Sequence, residues 1–229
     1  MSIRKTIAVF QKTYKDMLKN KKSLVIFLMF PIMALVFYNL IPEEKEFFST
    51  IFLPIHLIVV PASMIAAIIS EEKEKNTLRQ LIMANVKPLE YFIGIGLFVF
   101  IISILSASLF LLILSLTSIE LLRFYIIVSL TILCSMVIGS VVGILSQTQM
   151  NANALIMPLS IILGILPMFS AFNDTIKNIA SIFYTQTLSN VITSISKSIS
   201  IKDFTIMLLN FFISLALFTL IYRKKKLDN

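Results

Sequence analysis

The sequence has one histidine, one cysteine, five glycines and no tryptophan, and these shortages exclude several classes of function. Because His56 is the only histidine, a metal site built from several histidines is excluded, and we predict no metal centre. Cys134 has no second cysteine for an internal disulfide, so we expect it to pack as a small apolar side chain. None of the glycines opens a GxxxxGK(S/T) loop, so the chain cannot bind ATP by that route.

Apolar residues dominate instead, at 58% of the chain and a mean hydropathy of +0.94. A soluble domain is about 45–50% apolar. The excess lies in blocks of about 18 residues or more, the length of a membrane-spanning helix. We therefore predict an all-α membrane protein with a single transmembrane domain, 1–229, and no soluble catalytic domain. The six predicted transmembrane helices lie at about residues 23–41, 50–70, 91–116, 123–146, 153–170 and 203–222.

The distribution of Lys and Arg predicts the orientation of the chain. The net charge of +8 does not indicate a nucleic-acid partner, because the basic residues cluster at the ends of apolar blocks. With six spans, fifteen Lys/Arg fall on the side of the two termini and five on the opposite side. Basic residues are enriched in cytoplasmic loops, so we predict a multi-pass protein with both termini in the cytoplasm.

Two further segments are amphipathic. Residues 3–19 carry apolar side chains at helical spacing and predict an interfacial helix within a cytoplasmic segment, 1–22, although a plain basic flank is the alternative. Between spans five and six, residues 171–202 are rich in Ser, Thr and Asn. The apolar spacing over 188–199, after a shorter helical pattern, predicts a re-entrant outer helical hairpin; an ordinary surface loop is the alternative.

Small residues and prolines affect individual spans. Ser135, Gly139 and Gly143 form a small-xxx-small stripe on the fourth span, which predicts close helix packing within the subunit or across a dimer. Pro158 and Pro167 predict that the outer end of the fifth span is broken.

Other chemistry finds little support in the residues. An intramembrane protease of the EExxxR type would need Arg where this chain has Asn76, together with histidines further along the chain, and neither is present. An ion-coupled transporter would need carboxylates near mid-membrane, whereas every Asp and Glu falls in a predicted loop or flank. His56 lies in the outer part of the second span, and we expect a structural histidine that a backbone carbonyl satisfies; a functional ionisable group within the membrane is the alternative.

The charged segment after the second span has helical signals of its own. Glu71 and Lys75 form an i, i+4 pair in the favourable order, and Asn76 suits the left-handed conformation that ends a helix. Thr77 with Gln80 predicts a capping box at the start of a second helix. The apolar face of that helix consists of Leu78, Leu81 and Ile82. A bent segment of this kind suits docking to a partner, although a solvated loop is the alternative.

The run EEKEKNTLRQLI, from Glu71 to Ile82, resembles the cytoplasmic signature of permease subunits of ABC-2 type transporters. In that signature an acidic and basic run precedes Thr-Leu, two variable residues and Leu. Family members usually have Gly where this chain has Asn76, and both residues end a helix. The resemblance extends over nearly the whole chain and implies the ABC-2 exporter fold, with an interfacial helix, six spans and an outer hairpin.

The resemblance also implies partners. In that family two permease subunits pair, as a homodimer or a paralogous heterodimer within membrane lipid, and each docks a separate ATP-binding cassette ATPase subunit. ATP and Mg would then bind to the ATPase subunit, so this chain would need no cofactor and would not itself be an enzyme. The coupling segment would be residues 71–90. Its contact residues would be Glu71, Glu72, Glu74, Lys75, Thr77, Leu78, Leu81 and Ile82.

The chain is most similar to small permeases in the plasma membrane of Gram-positive bacteria that export antimicrobial or cytolytic peptides, or protect the producer from them. The resemblance thus implies export of an amphipathic or hydrophobic substrate, with a peptide as the first expectation. A drug or lipid exporter of the same family and a non-transporting immunity or scaffold protein are the alternatives.

Overall fold

The structure, a computed structural model, describes residues 1–19, 21–41, 45–197 and 199–225. Across these ranges the chain forms helices joined by short turns, with no strand, so the predicted all-α class is confirmed. The helices are α1 (Ile3–Lys19), α2 (Lys21–Leu40), α3 (Lys45–Glu74), α4 (Thr77–Met83), α5 (Pro88–Ala107), α6 (Ser118–Leu145), α7 (Gln149–Ser170), α8 (Asp174–Ala180), α9 (Tyr184–Thr193) and α10 (Ile201–Lys225). A 3₁₀ turn, Ser108–Leu112, extends α5.

Within the described ranges, five segments are long and apolar enough to cross a bilayer. They are Thr50–Glu74, Pro88–Leu112, Ser118–Leu145, Gln149–Ser170 and Ile201–Lys224. The predicted first span falls on α2, which contributes the shorter apolar stretch Phe27–Leu40. The chain is therefore a multi-pass helical membrane protein, and a sixth crossing through α2 stays a prediction.

Helix α3 lies at the centre of the bundle. It contacts α2, α5, α6 and α7, and 67% of its apolar stretch is buried, against 6% for α10. Helix α10 packs on α6 and α9 and leaves most of its apolar side chains exposed. Such a surface suits hydrocarbon as its solvent. The residues that pack α3 therefore decide the geometry of the bundle.

Two of the three small residues of the α6 stripe, Gly139 and Gly143, face α3. A Cβ at Gly139 would lie 2.2 Å from the carbonyl oxygen of Ala62, and one at Gly143 would lie 2.9 Å from a side chain of the same helix. The Ser135 hydroxyl is 3.1 Å from the Tyr184 hydroxyl of α9, and both groups are buried. The two glycines thus let the α6 and α3 backbones approach within this subunit.

Helix α7 continues through both of its prolines, so the prediction of a broken outer end is wrong. Proline removes one backbone hydrogen bond, but packing against neighbouring helices can hold a membrane helix together. Here Gly164, between Pro158 and Pro167, lies close to α3, where an added Cβ would be 3.2 Å from the Cα of Ile55. This packing supports the C-terminal half of α7.

Two short helices, α8 and α9, occupy the segment between α7 and α10. The helical pattern over 188–199 overestimates the second helix, which ends at Thr193. Arg123 of α6 contacts the turn beyond this end, where its Nη1 lies 3.0, 2.8 and 2.9 Å from the carbonyl oxygens of Ile195, Ser196 and Lys197. Re-entry of this segment into the outer leaflet stays a prediction.

Candidate coupling site

Residues 71–82, which we call the elbow, form a bend between α3 and α4. Helix α3 runs to Glu74, and Asn76 adopts φ 55° and ψ 15°, in the left-handed region. Asparagine tolerates this conformation better than most residues, so it can end one helix and redirect the chain into the next. The predicted break at Asn76 is confirmed.

The predicted capping box of Thr77 and Gln80 is wrong. Helix α4 already begins at Thr77, with Asn76 in the N-cap position and no side chain capping the first turn. The Thr77 hydroxyl instead donates to the carbonyl of Glu72 at 3.2 Å. A capping box needs its threonine at the N-cap, and here the threonine lies one residue further into the helix.

The apolar face of α4 is turned toward the chain's own core. Leu78 is 6% exposed and belongs to the main apolar cluster, and Leu81 and Ile82 pack against that cluster while partly buried. Arg79 and Gln80 on the other side are exposed. Leu78 therefore anchors α4 to the bundle, and the polar side of α4 is the side open to a partner.

The two glutamates that begin the elbow point in different directions. Glu71 accepts a hydrogen bond from Lys75 one turn later, as predicted, and this bond raises the pKa of the Lys75 ammonium. Glu72 is buried and forms an ion pair with Lys12 of α1, which also lies 3.5 Å from Asp16. Among the residues that the structure describes, none forms a hydrogen bond with the buried Oε2 atom of Glu72. The Glu72 carboxylate therefore depends on Lys12 for its compensating charge.

The next two residues of α3 contact the turn between α6 and α7. The Lys73 ammonium donates to the carbonyl of Ile144 at 2.7 Å and to that of Ser146. Glu74 Oε2 accepts from the backbone N–H of Gln149 at 2.8 Å. The last turn of α3 is thus tied to the end of one span and to the beginning of another.

Helix α1 lies against the start of α5, where the Glu90 carboxylate forms hydrogen bonds and Gly94 allows close packing. Glu90 accepts hydrogen bonds from the backbone N–H groups of Ser2 at 2.5 Å and Lys87 at 3.0 Å. A carboxylate is favourable at a helix N-terminus, and Glu90 lies at the N-termini of both α1 and α5. A Cβ at Gly94 would lie 2.7 Å from the Cβ of Val9, so Gly94 permits this close contact.

A cavity of about 600 Å³ opens beside the elbow, between α1, α2, α3 and α7. Its charged and polar lining includes Lys12, Asp16, Glu71, Glu72, Lys75, Gln149 and Asn153. Its apolar lining includes Met17, Phe27, Val60, Met64, Ile68 and Met157. Val60, Met64 and Ile68 of α3 lie further from the elbow along the helix than Glu71 and Glu72 do. The cavity is therefore polar near the elbow and more apolar away from it.

His56 lies far from the elbow along α3 and is fully buried between the rings of Phe30 and Phe110. Its Nε2 is 2.9 Å from the hydroxyl of Ser106. The expectation that a backbone carbonyl would satisfy this histidine is wrong, because a serine of the neighbouring α5 faces it.

Three residues of this region escaped the sequence analysis. Lys12 contacts a residue 60 positions away, and Lys73 contacts carbonyls more than 70 positions away, so neither contact leaves a local signal. Glu90 does have a local sequence signal, because Lys-Pro-x-Glu over residues 87–90 is a typical helix start.

Replacing Lys12 by Met should destabilise the protein by about 2 kcal/mol, because the buried Glu72 carboxylate would lose its partner. The estimate is below the usual cost for a buried pair because Lys12 is one-third exposed. The double variant Lys12→Met/Glu72→Gln should recover most of the loss, since it removes the stranded charge. Thermal unfolding midpoints in detergent, with exposed Lys15→Met as the control, measure both effects. An equal midpoint for the single and double variants would contradict the role of the pair.

Comparison with protein-family models gives one result for this chain. The model of the ABC-2 family transporter proteins matches residues 11–222, which includes the elbow and all five long apolar segments up to Tyr222. No curated protein matches the sequence. The match covers far more than half of the chain, from within α1 to near the end of α10.

Proposed function

The chain belongs to the ABC-2 family of transporter proteins, and we propose that it is the permease subunit of an ATP-driven exporter. The family is a membrane component of transport that works with an ATPase partner. The observation that carries the proposal is the elbow, which is anchored by Leu78 and tied by charged groups to α1, α6 and α7. A partner that pushes on α4 would therefore move several spans together.

The docking surface we assign is the elbow and the coupling segment around it, residues 71–90. Its exposed groups include Lys75, Arg79 and Gln80, while Leu78 and Leu81 hold the segment in place from beneath. ATP and Mg would bind to the partner, and this chain would supply no cofactor site. The segment would transmit the movement that nucleotide binding causes in the partner to the membrane-spanning helices.

We assign the first of six spans to α2, with both termini in the cytoplasm of a bacterial cell. Helix α1 supports this arrangement, because Thr6, Val9 and Thr13 pack on the bundle while Ile7 and Tyr14 remain about half exposed. An apolar face left open beside a membrane bundle suits the lipid interface. Segment 1–22 would then lie flat on the inner leaflet.

The amphipathic cavity suggests the class of substrate. Charged groups such as Asp16 and Lys75 lie at its mouth, and Met64 and Met157 contribute to an apolar wall that methionine side chains make adaptable. An amphipathic peptide would fit this polarity, with export of an antimicrobial or cytolytic peptide, or immunity to it, as the biological role. A drug or a lipid is the second candidate, since it has the same two-sided chemistry.

A second permease subunit would complete the path. Only 28% of the apolar stretch of α7 is buried, although α7 lines the cavity through Gln149, Asn153 and Met157. A homodimer or a paralogous heterodimer would cover this exposed side. The two-helix segment α8–α9 would lie at the outer end of the path.

Reconstitution of the permease with an ATP-binding subunit encoded beside it tests this proposal. We expect the permease in lipid vesicles to raise the ATPase rate of that subunit, and cationic amphipathic peptides to raise it further. An ATPase rate that is the same with and without the permease would favour the non-transporting scaffold instead.

A further inference from the structure

We propose that Lys73 and Glu74 are positioning residues that transmit movement of the elbow to the turn between α6 and α7. This inference rests on the proposed function for the source of the movement, but the contacts that carry it lie wholly within this chain. Neither the family match nor the elbow motif assigns a role to Lys73.

The charges of the two residues match the helix ends that they contact. Lys73 donates to the carbonyls of Ile144 and Ser146, at the C-terminal end of α6, where the helix dipole is negative. Glu74 accepts from the N–H of Gln149, the first residue of α7, where the dipole is positive. Each contact also satisfies backbone groups that a helix end leaves without an intrahelical partner.

Sequence order makes these contacts a mechanical link. Lys73 and Glu74 are adjacent in the last turn of α3, and the bend at Asn76 follows two residues after Glu74. The turn that they hold is short, because α6 ends at Leu145 and α7 begins at Gln149. A displacement of the elbow must therefore either move both helix ends or break charge-assisted hydrogen bonds.

The link reaches the cavity through a shared residue. Gln149 is held by Glu74, and it also lines the cavity together with Asn153 one turn further along α7. Glu72, two residues before Glu74, lines the same cavity from α3. Movement of the elbow would thus change the width of the cavity mouth between α3 and α7.

The double exchange Lys73→Glu/Glu74→Lys tests this role, because it keeps the net charge and reverses both interactions with the helix dipoles. In the purified permease we expect amide hydrogen exchange at residues 147–151 to become about tenfold faster. The matched exchange Glu71→Lys/Lys75→Glu should leave that rate unchanged, since those two side chains pair with each other, Glu71 in the last turn of α3 and Lys75 just beyond it.

A second readout separates transmission from local stability. A cysteine introduced by Asn153→Cys reports on the cavity through maleimide labelling, and the native Cys134 is buried. In the complex with the ATPase subunit we expect a non-hydrolysable ATP analogue to change the labelling rate. The 73/74 exchange variant is compared at an equal amount of bound ATPase subunit, and in it this nucleotide-dependent change should disappear.

Milder variants cover the case in which the double exchange does not fold. Lys73→Met should lose the nucleotide-dependent change, and Lys73→Arg, which keeps a cation and its donors, should retain it. A nucleotide-dependent change that survives in Lys73→Met or in the double exchange overturns the role of these residues alone. If the Asn153→Cys chain with native Lys73 and Glu74 shows no nucleotide-dependent change in labelling rate, the proposed function is overturned as well.

Discussion

Replacing Leu78 by Asp should abolish the stimulation of the ATPase partner while leaving the membrane-spanning bundle folded. Leu78 is the buried residue of α4, and its removal costs about 1.5–3 kcal/mol of apolar burial. The new carboxylate would add a desolvation penalty if α4 stayed in place. Because about 3 kcal/mol corresponds to a factor of about 100 in an equilibrium, α4 should leave its docked position. The ATPase rate of the reconstituted complex measures the loss.

A matched control separates this effect from that of any new charge near the same end of the bundle. Met150, in the first turn of α7, lies outside residues 71–90 and is 79% exposed, and an acidic residue is favourable in the first turn of a helix. Met150→Asp should therefore keep both stability and stimulation. Unchanged stimulation in Leu78→Asp, at a normal level of complex, would mean that the coupling assignment of the elbow is wrong.

Replacing Gly139 by Ala should produce the largest loss of stability expected from adding a single methyl group. The added Cβ would lie 2.2 Å from a backbone oxygen of α3, and backbone cannot move aside as a flexible side chain can. Overpacking of this kind costs about 1–3 kcal/mol or more, because α3 and α6 would have to separate. The thermal unfolding midpoint in detergent and the monodisperse fraction should both fall.

Gly96→Ala provides the control in the same kind of environment. At Gly96 the added Cβ would meet only the terminal methyl of Met136, at 3.3 Å, and that side chain can rotate away. Alanine also has a higher helix propensity than glycine, so the midpoint should stay the same or rise. Equal losses in the two variants would contradict the assignment of Gly139 to the α3–α6 contact.

The sequence predicted best the features that depend on local pattern. The apolar blocks, the amphipathic helix at residues 3–19 and the left-handed Asn76 all follow from spacing or from the conformational preference of one residue. The capping box failed by one position, because Thr77 satisfies the residue pattern without occupying the N-cap. Local patterns do not fix the register of a cap.

Contacts between distant segments could not be predicted in this way. Periodicity places Leu78, Leu81 and Ile82 on one face of α4, but it does not say whether that face meets a partner or the chain's own core. The ion pair between Lys12 and Glu72 depends on how α1 lies across α3. Both are properties of packing, which a single sequence does not display.

Helices α8 and α9 show the same limit with polar residues. The apolar spacing over 188–199 predicted an amphipathic helix in a re-entrant hairpin, but it indicated no partner for the polar residues just before it. In the structure Thr185, Gln186 and Thr187 are buried, and Gln186 accepts a hydrogen bond from Ser170 of α7 at 2.7 Å. Buried polar groups need partners, and here a neighbouring helix supplies one.

Co-purification tests the central claim, that this chain is a permease driven by a separate ATPase, most directly. The chain and the ATP-binding subunit encoded beside it would be expressed together, with an affinity tag on the permease alone, and purified in detergent. We predict a stable complex of equal stoichiometry that is lost in Leu78→Asp and retained in Met150→Asp. Recovery of the permease without an ATPase, or equal recovery of the ATPase with all three chains, would contradict the account.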